Sequence, residues 1–123
     1  MKQFLLVFLG GGIGSGLRYL LSKTLNPYTP NFFLGTFGVN ILGCLIIGII
    51  LGLSAKSTSF SNNTVLFITI GFCGGFTTFS SFALENYGML REGQILSFLL
   101  YTLSSIVVGI LAVALGLWLS KIF

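Results

Sequence analysis

Four long apolar runs alternate with short polar clusters along this chain. The first run follows Lys2 and extends to about Leu21. Its glycines at Gly10, Gly12, Gly14 and Gly16 give overlapping GxxxG spacings, which let another helix approach closely because no side chain stands in the contact. Arg18 and Tyr19 lie on its last turns. From Lys23 to Lys56 the chain is uncharged for longer than the roughly 20 residues that a helix needs to cross hydrocarbon. Asn26, Pro27, Tyr28, Thr29 and Pro30 absorb the surplus as a connection, since proline stops one helix and permits the next to begin. The second helix is predicted over 31–54, where Thr36 and Asn40 are four apart and share a face. A serine- and asparagine-rich loop, KSTSFSNN, then leads into a third run over 64–88. Arg91, Glu92 and Gly93 form a tight polar connection to the fourth, 94–120, in which Tyr101, Ser105 and Gly109 recur at four-residue spacing and Trp118 marks an interface. The first run, with FLLVFLGGG after Lys2, resembles a signal peptide at its start, but no small-x-small cleavage site leads into a soluble domain, so it is read as a helix over about 3–21.

Composition turns these four helices into membrane spans. The chain is 54% hydrophobic and 7% charged, with a mean hydropathy of +1.04. The expected fold is therefore an all-α membrane protein with four transmembrane helices in one domain, 1–123. A net charge of +4 does not point to nucleic acid, because the basic residues stand singly at helix ends, where they reach lipid headgroups. Cys44 and Cys73 lie inside apolar runs and belong to no CxxC or Cys/His cluster, so they are read as small packed side chains. With no histidine and two acidic residues in all, the usual groups of hydrolytic, acid/base and transition-metal chemistry are missing, and an enzyme is not expected.

The stretch that departs most from a plain apolar helix is Gly71 to Glu85, GFCGGFTTFSSFALE, in the middle of the third run. Gly74 and Gly75 weaken a helix, and Thr77 and Thr78 are poor helix formers, so this helix is expected to break at mid-membrane. Irregular backbone at that depth is tolerated only where protein or a water-filled cavity surrounds it, and the freed carbonyls suit a cation. A packing kink at the glycine pair is the alternative. Phe72, Phe76 and Phe79 recur at i, i+4, i+7, with Phe82 one turn beyond Phe79, a pattern that by itself describes packing. A ring edge, however, carries the positive part of the aromatic quadrupole and favours an anion without a fixed countercharge. Hydroxyls at Thr77, Thr78, Ser80 and Ser81 and the Asn40 amide supply donors, and the combination suits a small, strongly hydrated anion. Thr36, Ser105 and the serine pair have the alternative of bonding their own helix carbonyls. For Tyr101 the alternative is an interface role. Arg18 is either an interfacial anchor or a positive vestibule. Glu85 is read as lying near a membrane face, capping or hydrogen-bonding locally.

Four spans place Lys2, Lys56 and Lys121 on one side and Arg18, Lys23 and Arg91 on the other. Orientation follows an excess of lysine and arginine on the cytoplasmic side, and this balanced chain gives no such instruction. An antiparallel, dual-topology homodimer follows as a hypothesis, with both copies of the broken helix at its centre.

The motifs GGGIGSGLRY, GTFGVNILGC and GFCGGFTTFSSF, in this order and spacing, closely resemble the CrcB, or Fluc, family of fluoride channels over essentially the whole chain. The resemblance implies an antiparallel dimer with two fluoride pathways. It matches Phe79 and Phe82 to the paired phenylalanines that line the pore, Asn40 to the pore asparagine and Ser80 to the serine between the rings. Thr36, Tyr101 and Ser105 match the polar line near the pore, and Arg18 the arginine after the first motif. Gly74 and Thr77 match positions whose backbone carbonyls hold a structural sodium ion. Ser81 stands where a threonine is common and keeps a hydroxyl, so it joins the pathway set. Gly109 stands where some members carry a serine.

The expected function is thus a passive, fluoride-selective channel of a bacterial inner membrane that lowers cytoplasmic fluoride. Two rivals remain. A small multidrug exporter also has four helices and dual topology, but needs a carboxylate deep in its first helix, and none is present there. A non-transporting membrane subunit packing through its glycines would carry no ion at all.

Overall fold

The computed structural model describes residues 1–29, 32–56 and 60–122. Pro30, the expected start of the second helix at Asn31 and the loop residues Ser57, Thr58 and Ser59 lie outside the described residues. Within them the fold is all-helical, and four helical runs are long and apolar enough to cross a membrane.

Helix α1 spans Lys2–Leu25. It outlasts the predicted end near Leu21 because nothing before Pro27 removes a backbone donor, and Thr24 Oγ1 adds bonds to the carbonyls of Leu20 (3.0 Å) and Leu21 (3.1 Å). A 3-10 turn, Asn26–Tyr28, follows with proline in its first turn. Helix α2, Leu34–Lys56, is capped from that turn: Gly35 N–H donates to Asn26 Oδ1 at 2.7 Å.

The third run is not one helix. Ser61 Oγ accepts from Thr64 N–H at 3.1 Å and starts α3, Asn62–Leu66, slightly earlier than predicted. Phe67–Cys73 is wound as a π-helix, and Gly74–Phe76 closes as a short α4. The chain is then extended at Thr77 (φ −81°, ψ 159°) and Thr78 (φ −149°, ψ 120°) before α5, Phe79–Arg91. Of the residues expected to break this helix, the threonines do so and the glycine pair does not. Gly74 and Gly75 stay helical, and the interruption falls on the β-branched threonines, which favour extended backbone. What Gly75 supplies is proximity: a Cβ there would run into the Gly11 carbonyl and lie 2.8 Å from Gly11 Cα.

Helix α5 ends at a Schellman turn. Gly93, at φ +72°, donates from its N–H to Leu90 O, and Gln94 N–H donates to Met89 O at 2.8 Å. Helix α6, Ile95–Leu119, returns along α2, where a Cβ on Gly116 would sit 2.8 Å from Ile49 N. Lys56 Nζ donates to the carbonyls of Ser120 (3.1 Å) and Lys121 (2.8 Å), so the far ends of α2 and α6 meet at one end of the bundle.

Candidate functional site

The extended pair Thr77–Thr78 is held from α2. Asn40 Oδ1 accepts from Thr78 N–H at 2.8 Å while Asn40 Nδ2 donates to Thr78 C=O at 3.1 Å. One side-chain amide thus satisfies both backbone groups of a residue that is only 7% exposed, replacing the partners that a continuous helix would give it. In such a helix Thr78 N–H would close on Gly74 C=O, and Ser81 N–H on Thr77 C=O. Here Thr78 N–H goes to Asn40, and Ser81 N–H goes to Thr78 Oγ1 at 3.2 Å as the N-cap bond of α5. The Gly74 and Thr77 carbonyls thereby lose these helical partners, as the Gly75 and Phe76 carbonyls do within the same interruption. Gly75 C=O is approached by Ser15 Oγ of α1 at 3.3 Å.

Beside this break lies a cleft of about 320 Å³. Asn40, Thr77, Thr78, Phe79, Phe82 and Ser105 give it its chemistry, and Cys44, Ile47 and Ile106 complete an apolar wall. Ser105 Oγ is buried and has no hydrogen-bond partner among the described residues. Phe72, Phe76, Phe79 and Phe82 form two pairs rather than one stripe, because the break changes their phase. Phe72 stacks on Phe76 with centroids 5.3 Å apart, whereas Phe79 tilts toward Phe82 at 6.0 Å. Phe76 is buried, but Phe79 is 80% exposed on the face of the single chain. Phe82 leans in turn on the fully buried ring of Tyr101, centroids 5.3 Å apart.

Thr36 and Tyr101 do meet, through a third residue. Thr36 Oγ1 donates to Glu85 Oε1 at 2.6 Å, and Tyr101 Oη donates to Glu85 Oε2 at 2.7 Å. Glu85 is therefore not a locally bonded end residue, as the sequence reading had it. It ties α5 to both α2 and α6, and each carboxylate oxygen has a hydroxyl donor. The same side chain lines a second cleft of about 440 Å³ with Phe33, Arg91 and Glu92.

The remaining candidates are distributed less evenly. Ser81 Oγ accepts from Thr78 Oγ1 at 3.1 Å, and Ser80 is exposed at the start of α5. Gly109 is buried, with Cys44 Sγ and Ile41 as the neighbours a Cβ would meet, so the polar line along α6 stops at Ser105. Arg18 is not brought into either cleft, and its Nε is buried without a partner among the described residues. One partly buried pair is not among the residues the sequence singles out. Asn86 Oδ1 accepts from Thr102 Oγ1 at 2.7 Å, and Asn86 Nδ2 donates to Phe82 C=O at 2.8 Å. The available signal is the polar doublets Glu85–Asn86 and Tyr101–Thr102, placed in two consecutive membrane-length helical runs.

The chain is similar to known proteins over nearly its whole length. Residues 5–117 match the family model described as "CrcB-like protein, Camphor Resistance (CrcB)". A protein of Phocaeicola vulgatus named fluoride-specific ion channel FluC is 51% identical over 122 residues, 98% of this chain and 100% of its own length. Proteins of the same name from Azobacteroides pseudotrichonymphae and Chlorobium phaeobacteroides are 45% and 44% identical, each covering 100% of this chain and 99% and 98% of their own lengths.

Proposed function

The chain belongs to the CrcB-like family of multi-pass membrane proteins, and from that premise we propose that it is a fluoride-selective ion channel, not an enzyme. The observation that carries the reading is the cleft beside the broken helix. It combines phenylalanine rings with hydrogen-bond donors that the fold leaves unspent. Ser105 Oγ lacks a partner, and Asn40 Nδ2 gives only one of its two hydrogens to Thr78. Fluoride is small and strongly hydrated, so it enters a pore only where fixed donors replace its water. Ring edges at Phe79 and Phe82 add a positive field without a permanent cation that would trap the ion. Thr36 and Tyr101 act at one remove in this scheme, because their hydroxyls are spent on Glu85. Ser80 and Ser81, at the start of α5, add hydroxyls at the same end of the aromatic pair. Arg18 serves as a positive anchor away from the cleft.

The proposal extends to the assembly. An exposed Phe79 and an exposed Gly74 leave the centre of the third run uncovered in one chain, and a second, inverted copy would cover it. The balanced lysine and arginine tally is the argument for inversion. The carbonyls of Gly74 and Thr77 fit a hard cation, since both have lost their helical partners and offer neutral oxygen. A sodium ion bound there would neutralise carbonyl dipoles at the junction of the two copies, as a structural element. In a bacterial inner membrane the flow would be passive and outward. Neutral hydrogen fluoride enters from an acidic medium, ionises in the cytoplasm and leaves only through the pore.

Purified protein in liposomes should release fluoride, read by a fluoride electrode, with no comparable chloride release. A proton-coupled exporter would need a pH gradient to move its substrate, and a non-transporting subunit would release neither ion. Absence of fluoride release would remove the proposal.

A further inference from the structure

We propose that Asn86 and Thr102 are positioning residues for this pathway, forming a second clamp on α5 that sets where Phe82 and Glu85 stand. This rests on the channel reading above. Neither residue lines the cleft, and Asn86 is only 7% exposed. In a regular helix Phe82 C=O already receives the backbone N–H of Asn86. The 2.8 Å bond from Asn86 Nδ2 to the same carbonyl is therefore additional. A local bond of that kind would do no more than bend the helix. Here Thr102 Oγ1 of α6 donates to the other end of the amide at 2.7 Å, so a local bond becomes a tether between two helices.

The arrangement repeats that of Asn40. The Asn40 amide donates to Thr78 C=O and the Asn86 amide to Phe82 C=O. Those carbonyls are one helical turn apart on one line of α5, and Phe79 and Phe82 ride on the turn between them. Asn40 fixes the beginning of that turn to α2, and Asn86 fixes its end to α6. The second tether lies directly beside the Glu85–Tyr101 bond, and both join residues 16 apart in sequence. Two adjacent bonds resist rotation of α5 against α6, which a single bond does not. Such a rotation would carry the Phe82 ring off Tyr101 and pull the Glu85 carboxylate from its donors. Thr102 thus acts on the ion through geometry alone.

The test compares Thr102→Val, Thr102→Ser and the double variant Thr102→Val/Asn86→Leu in liposomes, with fluoride and chloride release both measured. Thr102→Val keeps the shape and removes the donor. It should slow fluoride release roughly tenfold, the effect of about one hydrogen bond on a barrier, and lower the fluoride-to-chloride ratio. Thr102→Ser restores the hydroxyl and should stay within about twofold of the original chain, well inside that tenfold margin. If Thr102→Val proves too unstable to purify, the double variant serves, because removing both partners leaves no unpaired buried group. It too should be slow and less selective. Release by Thr102→Val or by the double variant at the original rate and ratio would overturn the clamp, as would equal slowing by valine and serine. An unaltered chain that releases no fluoride would bring down the channel reading and the clamp with it, whereas a conducting chain with unimpaired variants brings down the clamp alone.

Discussion

Residues 62–76 meet α1 through bare backbone, with Gly71 beside Gly10 and Gly75 beside Gly11. Residues 79–91 meet α2 and α6 through paired polar side chains: Thr36 and Tyr101 on Glu85, and Thr102 on Asn86. Asn40, bonded to both backbone groups of Thr78, stands at the seam between these two regions. In a membrane, lipid is as apolar as a side chain, so association relies on close packing or on hydrogen bonds. The third run uses one device on each side of its break. Glycine contacts bring backbone against backbone and make a close-packed wall. Polar clamps join α5 to α2 and α6, with a cleft beside the seam.

The contrast breaks most visibly at Gly75. Gly75→Val would thrust a branched side chain into the α1 backbone, where no rotamer relieves the clash with Gly11. Overpacking costs ~1–3 kcal/mol even where neighbours are flexible side chains, and backbone yields less. Loss of folded protein is expected, read as a missing monodisperse peak in detergent and a lowered thermal midpoint. A variant as stable as the original chain would show that the glycine wall is not needed.

Asn40→Leu probes the seam itself and should have a smaller effect on folding but a direct one on flux. It removes two bonds and strands Thr78 N–H and C=O, each at a cost of about 1–3 kcal/mol. The protein should still purify, because the glycine wall and the α2–α6 contact are untouched. Fluoride release should fall by roughly a hundredfold, the equivalent of about 2.7 kcal/mol on a barrier. Unchanged release would mean that the extended threonines hold their shape without Asn40.

How far the sequence carries this comparison differs between the two regions. Long apolar runs and GxxxG spacings predict the helices and their close packing, because both depend on residues near in sequence. Helix ends shift where a cap decides them, as with Ser61 at α3 and Asn26 at α2. The break is expected from the glycines and the threonines together, because propensity scales penalise both, yet only the threonines carry the extended backbone while Gly75 serves the approach to α1. The roles of Glu85 and Asn86 are hidden in the sequence for one reason. Their partners lie 49 and 16 residues away, and only the fold brings those hydroxyls to them. Asn40, Phe79, Phe82 and Ser105 were assigned together by family resemblance, and they line one cleft. Arg18 was assigned the same way and lies outside it.

Passage of an anion along the aromatic face of α5 is tested most directly by fluoride release from liposomes containing Phe79→Ile or Phe82→Ile. Isoleucine keeps an apolar side chain but has no ring edge to present to fluoride. Both variants should remain folded and elute like the original chain, with fluoride release greatly reduced. Undiminished release in both would contradict the account.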